Sequence, residues 1–234
     1  MTPRSRLTPA LSFFVCFACF LGTSAFSSFS LRAADVPPTQ PARTEPRTII
    51  FFGDSLTAGY GLEDPATQAY PALIQEKIAA ARLSWRVVNA GLSGETTSGG
   101  ARRIDWILRQ RVDVFVLALG GNDGLRGIEP GISRTSLARI MDRVREKNPS
   151  AQLVVAGMMM PPSLGADYTR EFAAIYPELA KKYSATLLPF LLASVGGDPA
   201  LNQDDQIHPT SRGHAVVAET VWKVIQPLLL SSTP

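Results

Sequence analysis

Apolar segments alternate with helix-like segments along most of this chain. The apolar segments, rich in Val, Ile, Leu and Phe, are residues 48–52, 85–89, 112–119, 151–157 and 186–190. The helix-like segments are residues 70–82, 98–109, 136–147, 168–183 and 213–230. Strands that are apolar throughout, and not at every second position, are typical of a parallel sheet covered by helices on both faces. The pattern therefore predicts a three-layer, doubly wound α/β domain with five parallel strands.

The first 47 residues do not follow this pattern. Residues 1–34 begin with two arginines, continue with a 17-residue apolar run and end in small residues, as secretory signal peptides do. An uncleaved anchor is the alternative, but the run is short for a membrane span. We expect cleavage between about residues 25 and 34, a proline-rich linker over residues 35–47, and a folded domain over residues 48–230. The mature protein would then be periplasmic or secreted, with no integral membrane segment.

Removing the leader changes the charge and the redox chemistry of the chain. The formal net charge of +3 becomes zero, because the leader holds three arginines and no acidic residue. No basic surface for nucleic acid is then indicated, and we expect no nucleic-acid partner. Cys16 and Cys19 both lie in the leader, so the mature chain would have neither a disulfide nor thiol chemistry. With His208 and His214 as the only histidines, a zinc site is hard to build, and we expect no metal and no cofactor.

Side chains with catalytic chemistry follow the predicted strands, at the carboxyl edge where doubly wound sheets hold their active sites. Ser55 follows the first strand, Gly94 the second and Asn122 the third, and the loop before the last helix holds Asp205 and His208. A histidine that is oriented by a carboxylate and takes a proton from a serine hydroxyl makes that serine a nucleophile. The backbone amides of Ser55 and Gly94 and the side-chain amide of Asn122 are suitable donors to the oxyanion of acyl transfer.

Each of these residues also has an ordinary structural interpretation. Ser55 can cap a turn, Gly94 can be a turn residue, and Asn122 can adopt a left-handed turn conformation. His214 competes with His208 for the role of the base. It lies at the opening of the last helix, where we expect a solvated polar residue, and only His208 has an acidic residue three positions before it. We therefore predict His208 as the base.

Four sequence blocks, taken in order, are more specific than any single residue. GDSLTAGYGL, NAGLSGETTSGG, LGGNDGLRG and DDQIHP resemble the conserved blocks of the SGNH (GDSL) hydrolase family. They are most similar to its branch of bacterial periplasmic acyl-CoA thioesterase I, lysophospholipase L1 and arylesterase. The resemblance runs from about residue 48 to the last helix and includes residues 157–180. One departure is Ser163, which stands where the branch often has Asn.

The resemblance implies a flavodoxin-like SGNH hydrolase fold and a role for each block. It implies Ser55 as the nucleophile, Asp205 and His208 as the rest of the triad, and Ser55, Gly94 and Asn122 as the oxyanion donors. The chain has no Gly-x-Ser-x-Gly sequence of the α/β-hydrolase type.

We expect the substrate to be a small ester or thioester with an apolar acyl group, hydrolysed by a monomer. The expected acyl-contacting residues are Leu56, Leu125, Ile128, Met158, Met159, Met160 and Leu164. The three methionines fit a strand-end core equally well. Deacetylation of a carbohydrate or cell-wall polymer by the same triad is one alternative function. A binding module without activity is another, and the intact triad argues against it.

Overall fold

The central sheet has five parallel strands in the computed structural model, which describes residues 45–231. The strands are β1 (Arg47–Gly53), β2 (Trp85–Gly91), β3 (Val114–Ala118), β4 (Gln152–Ala156) and β5 (Thr186–Leu188). Their order across the sheet is β2-β1-β3-β4-β5. The predicted α/β fold with a five-stranded parallel sheet is therefore confirmed. The predicted signal peptide, residues 1–34, and residues 35–44 of the predicted linker lie outside the described residues.

Helices cover both faces of the sheet. They are α1 (Ser55–Ala58), α2 (Pro65–Gln68), α3 (Tyr70–Ala80), α4 (Thr97–Ile107), α5 (Gly121–Leu125), α6 (Pro130–Lys147), α7 (Ala166–Tyr183) and α8 (Ser211–Ser231), with a 3₁₀ turn at Pro162–Leu164. Helix α3 packs against α8, and α6 packs against both α4 and α7. Right-handed crossovers put α3 and α8 on one face and α4, α6 and α7 on the other.

The core follows the sequence pattern of the central strands. Ile49, Ile50, Phe51 and Phe52 of β1 have no exposed surface, and every residue of β3 is buried. Complete burial of such a side chain contributes roughly 1.5–3 kcal/mol, so β1 and β3 anchor the fold. The strand order reverses between these two strands, which opens a crevice at their carboxyl ends. The crevice is the place where the topology itself favours an active site.

The element boundaries differ from the predicted ones where apolar periodicity is weak. Helix α6 begins at Pro130, six residues before the predicted start, because Glu129 caps it and proline suits the first helical position. The strands β3, β4 and β5 are shorter than predicted, whereas β1 and β2 are longer. The four- and five-residue helices α1, α2 and α5 were not predicted, because such short helices have no period to recognise. No helix within residues 45–231 is long and apolar enough to cross a membrane.

Candidate active site

Ser55 is the first residue of α1, immediately after β1. The carboxylate of Asp54 caps this helix by accepting a hydrogen bond from the Leu56 amide at 3.1 Å. A Cβ at Gly53 would lie 2.0 Å from the Thr57 hydroxyl, so the glycine allows α1 to fold back tightly on the strand end. The strand–turn–helix geometry therefore holds the serine hydroxyl at the carboxyl edge of the sheet.

The imidazole of His208 links Ser55 to Asp205. Its Nε2 lies 2.8 Å from the Ser55 Oγ, and its Nδ1 lies 2.6 Å from Asp205 Oδ2. A carboxylate can only accept a hydrogen bond, so Nδ1 of His208 carries the hydrogen and donates it to Asp205. The lone pair of Nε2 then faces the serine. The structure thus brings the three predicted triad residues into one hydrogen-bonded chain.

Hydrogen bonds keep Asp205 ionised. Burial alone would raise its pKa, but the bonds from the amide and ring of His208 and from the Ile207 amide outweigh burial. Together they lower the pKa of Asp205 to about 2. The two amides donate to Oδ1 at 2.9 and 3.0 Å, which leaves Oδ2 for the imidazole. The turn from Asp205 to His208 is therefore a preorganised carboxylate–histidine unit.

The three predicted oxyanion donors lie around the same crevice. Gly94 has φ +77°, a conformation that favours glycine, and among the described residues only the Arg126 side chain lies within 4 Å of an added Cβ. The Asn122 amide, in α5, donates to the Glu95 carbonyl at 3.1 Å and retains a second N–H. Within residues 45–231, the backbone amides of Ser55 and Gly94 have no hydrogen-bond acceptor. Both are available to a ligand.

Arg103 supports this arrangement and was not predicted from the sequence. Its guanidinium bonds Glu95 at 2.6 Å and also donates to the carbonyls of Ala90 and Gly53, at 2.8 and 3.3 Å. It lies 4.2 Å from the Phe52 ring centroid. One side chain therefore ties the ends of β1 and β2 to the loop that carries Gly94. The signal in the sequence was only a glutamate and an arginine eight residues apart, and Glu95 lies in the loop before α4 whereas Arg103 lies within it, so helical spacing does not predict this pair.

Tyr60 is a second unpredicted neighbour of the site. Its ring packs on the His208 imidazole, with centroids 4.7 Å apart. Its carbonyl accepts a hydrogen bond from the Gln203 side chain at 2.8 Å, which joins the loop after α1 to the histidine loop. Tyr60 therefore limits the rotation of the imidazole from the solvent side.

The expectation that His214 is solvated is wrong. This histidine is 1% exposed, and its Nδ1 accepts a hydrogen bond from the Tyr70 amide at 3.2 Å. Burial lowers the pKa of His214 to about 4, so the ring is neutral near pH 7. Packing of α8 against α3 buries Gly213 and His214 in the first turn of α8, and the sequence pattern of α8 alone does not show this contact. His214 is therefore a structural residue that contacts Tyr70, whose hydroxyl in turn lies 2.9 Å from the Thr57 hydroxyl.

Asp54 is fully buried beside the nucleophile. Within the described part of the chain, its Oδ2 has no hydrogen-bond partner. Burial, opposed by the Leu56 amide and reinforced by Asp123 and Glu95, raises the pKa of Asp54 to about 7. The carboxyl is therefore largely protonated in mildly acidic solution and loses its proton near neutrality.

Asp54→Asn is expected to remove a pH dependence of stability. An aspartate whose pKa is raised by folding stabilises the fold most at low pH, and this contribution is lost as pH rises from 3.8 to about 7. Between about pH 5 and pH 8, the wild type should lose on the order of 3 kcal/mol of unfolding free energy relative to the variant. Urea unfolding of both proteins measures this, because other titrations, including that of His214, cancel in the difference. A difference that is independent of pH would contradict the assignment.

An apolar cleft of about 510 Å³ opens beside Ser55, and we call it the acyl groove. Five of the predicted acyl-contacting residues line it: Leu56, Leu125, Met158, Met159 and Met160. Ile128 and Leu164 are not among its lining residues. Phe190, Leu192 and Ile207 line it without having been predicted, because they come from the loops after β5 and before α8. Met158 is buried, whereas Met159 is 58% exposed. The methionine run therefore contributes both to the core and to the surface of the groove.

The described residues offer no cluster of three or more His, Cys, Asp or Glu side chains that could hold a metal ion.

The chain is similar to known ester hydrolases. Residues 51–216 match the model of the GDSL-like Lipase/Acylhydrolase family. The chain is 35% identical to esterase TesA of Pseudomonas aeruginosa over 192 residues, 82% of this chain and 92% of the relative. It is 38% identical to thioesterase 1/protease 1/lysophospholipase L1 of Escherichia coli K12 over 187 residues, 78% of this chain and 85% of the relative. The crystal structure of AlinE4, an SGNH-hydrolase family esterase, matches with a TM-score of 0.65 and 38% identity, covering 82% of this chain and all of that one.

Proposed function

Because the chain belongs to the GDSL-like lipase/acylhydrolase family, we propose that it is a serine hydrolase that cleaves carboxylic esters, thioesters or both through an acyl-enzyme at Ser55. The observation that carries this proposal is the hydrogen-bonded chain from Ser55 Oγ to His208 Nε2 and from His208 Nδ1 to Asp205. This geometry matches a nucleophile, a general base and a group that orients the base.

In the first half-reaction, Ser55 Oγ attacks the substrate carbonyl carbon while His208 Nε2 takes the hydroxyl proton. The carbonyl oxygen becomes an oxyanion, and the unoccupied amides of Ser55 and Gly94, with the second N–H of Asn122, stabilise it. The imidazolium then gives its proton to the leaving alcohol or thiol, and the acyl group remains on the serine. Asp205 stays ionised and stabilises the charged imidazole, since its pKa is about 2.

In the second half-reaction, water takes the place of the serine hydroxyl. His208 accepts a proton from the water, which attacks the acyl carbon, and the same donors stabilise the second oxyanion. The imidazolium finally returns its proton to Ser55 Oγ, and the carboxylic acid leaves. Every proton in the cycle passes through Nε2 of His208, so no further acid or base is needed.

The acyl groove supports an apolar acyl part. Its walls are formed by leucine, isoleucine, phenylalanine and three consecutive methionines, and flexible methionine side chains adapt to flexible chains. The esterase, thioesterase and lysophospholipase named among the relatives all act on acyl esters or thioesters, and we propose the same substrate class here. A small acetyl group would leave most of a groove of about 510 Å³ empty.

A fluorophosphonate probe is expected to label Ser55 and no other residue, and Ser55→Ala should lose both labelling and hydrolysis. Peptide mapping identifies the labelled residue. A substrate panel of p-nitrophenyl esters, acyl-CoAs, lysophospholipids and acetylated sugars then defines the class. Labelling without turnover of any panel member would support a binding module, and a preference for acetylated sugars would support the carbohydrate esterase.

We also propose that the mature enzyme is an exported monomer that begins between Phe26 and Asp35. The basic start, apolar run and small residues of the leader support export. N-terminal sequencing of the exported protein and light scattering of the purified enzyme test both statements. An intact Met1 in the exported pool, or a stable dimer at working concentration, would contradict them.

A further inference from the structure

A second cleft lies beside the oxyanion donors, and we call it the arginine groove. It has a volume of about 490 Å³, and its lining includes Ser93, Gly94, Thr96, Arg102, Arg103 and Arg126. It shares no lining residue with the acyl groove. The two linings are consecutive in the chain at the end of α5, where Leu125 lines the acyl groove and the next residue, Arg126, lines the arginine groove.

Two of the three arginines in this groove have no carboxylate partner. Arg103 is paired with Glu95, the one acidic residue in the lining. Within residues 45–231, neither Arg102 nor Arg126 forms an ion pair with any carboxylate, and both side chains belong to exposed residues. The groove is therefore strongly positive, although the chain without its leader has no formal net charge.

The acidic residues near these arginines in the sequence are engaged elsewhere: Asp105 pairs with Arg143, and Glu129 accepts a hydrogen bond from the Gly131 amide. Asp123 is buried, and its carboxylate accepts hydrogen bonds from the Thr97 amide, the Thr97 hydroxyl and the Ser133 hydroxyl. It is therefore satisfied within the protein. The free positive charge of the groove belongs to Arg102 and Arg126.

Arg126 is held close to the reaction centre. Its guanidinium donates a hydrogen bond to the Gly94 carbonyl at 3.1 Å. Gly94 is also the residue whose backbone amide we assign to the oxyanion hole. A guanidinium has five N–H donors, so this bond leaves most of them free. Arg102 lines the same groove from the middle of α4. Two guanidinium groups in one groove are suited to a tetrahedral phosphate, which they recognise through paired hydrogen bonds.

We propose that the arginine groove binds a phosphate in the leaving group of the substrate. This inference rests on the proposed function. The reacting carbon carries an oxygen, an acyl chain and a leaving group, and the first two occupy the oxyanion hole and the acyl groove. Gly94 itself lines the arginine groove, so this cleft can take the leaving group, and its charge selects an anionic leaving group over a neutral alcohol or thiol.

Two classes of acyl substrate carry such a phosphate. In a lysophospholipid the phosphodiester lies a few bonds from the scissile ester, whereas in an acyl-CoA the phosphates lie beyond a long neutral arm. Because Arg126 contacts Gly94 itself, a phosphate in this groove lies close to the reacting carbonyl. The geometry therefore favours the phosphodiester of a lysophospholipid headgroup, and the experiment below distinguishes the two sources.

The test compares matched substrates that differ in the phosphate. One pair is 1-decanoyl-lysophosphatidylglycerol and 1-decanoylglycerol, used as monomers. The other is decanoyl-CoA and S-decanoyl-N-acetylcysteamine. The measured quantity is the ratio of kcat/KM for the phosphate-bearing member to kcat/KM for the neutral member of each pair.

Arg102→Gln and Arg126→Gln are each expected to lower this ratio about three- to tenfold, the range of a charge-assisted hydrogen bond at an exposed site. The ratio in the wild type should also fall with added salt, which screens exposed charges. The control is Arg109→Gln, an exposed arginine outside the groove, which should change neither activity nor ratio.

The outcomes separate this inference from the proposed function. A loss confined to the lysophospholipid pair identifies the headgroup, and a loss confined to the thioester pair identifies the phosphates of acyl-CoA. An unchanged ratio overturns the inference. This includes the case in which kcat/KM falls equally for the neutral and the phosphate-bearing substrates, because the arginines would then act only on the loop that carries Gly94. Failure of the wild type to hydrolyse any of the four substrates would instead contradict the proposed function.

Discussion

His208→Ala is expected to lower kcat by about 10⁴- to 10⁶-fold while the protein stays folded. The imidazole is both the acceptor of the Ser55 proton and the donor to the leaving group, and no other base lies in hydrogen-bond contact with Ser55 Oγ within the described residues. The ring is partly exposed and packs mainly on Tyr60, so its removal should change the free energy of unfolding by no more than about 1 kcal/mol. Steady-state hydrolysis and urea unfolding measure the two effects.

His214→Ala is the matched control for this experiment, because it removes the other histidine of the mature chain. Its buried ring accepts the Tyr70 amide hydrogen, so its loss leaves a cavity and an unpaired donor, at a cost of roughly 2–4 kcal/mol. The folded fraction should still hydrolyse ester in the cold. If His214→Ala were stable and inactive while His208→Ala retained activity, the two assignments would have to be exchanged.

The family and the fold could be predicted because their signals are local. The central strands β1 and β3 are buried on both faces and therefore apolar throughout, and this is visible in the sequence. Three of the four blocks combine a strand end with the turn that follows it, and the fourth is a single loop before α8. The resemblance to SGNH hydrolases is confirmed by the family match over residues 51–216. Candidate triad residues could be chosen because an acidic residue three positions before a histidine is also a local feature.

The support of the site could not be predicted, because it consists of contacts between distant segments. Arg103 bonds the ends of two strands that precede it in the chain, and nothing in the spacing indicates this. The burial of His214 depends on the packing of α8 against α3. In the acyl groove, Phe190 joins the methionine run because β5 pairs with β4, and Ile207 joins it because the loop before α8 reaches Ser55. Tertiary packing, and not local propensity, decides each of these positions.

Asn122→Ala is expected to lower kcat by about 10²- to 10³-fold, equivalent to roughly 2.7–4 kcal/mol of transition-state stabilisation. The second N–H of its amide is free to donate, and this bond strengthens only when the substrate oxygen becomes negative. KM should therefore change little. Steady-state kinetics over a range of ester concentrations gives both constants.

The variant also removes the bond from Asn122 to the Glu95 carbonyl, so a looser Gly94 loop is the competing explanation. A boronic acid that forms a tetrahedral adduct with Ser55 separates the two effects. Loss of an oxyanion donor should lower the affinity for the boronate in proportion to the loss of kcat/KM. It should leave the affinity for the carboxylate product nearly unchanged. A loosened loop should weaken both ligands. If kcat stayed within a few-fold of the wild type while KM rose, Asn122 would bind the ground state of the substrate, and the oxyanion hole would consist of the Ser55 and Gly94 amides alone.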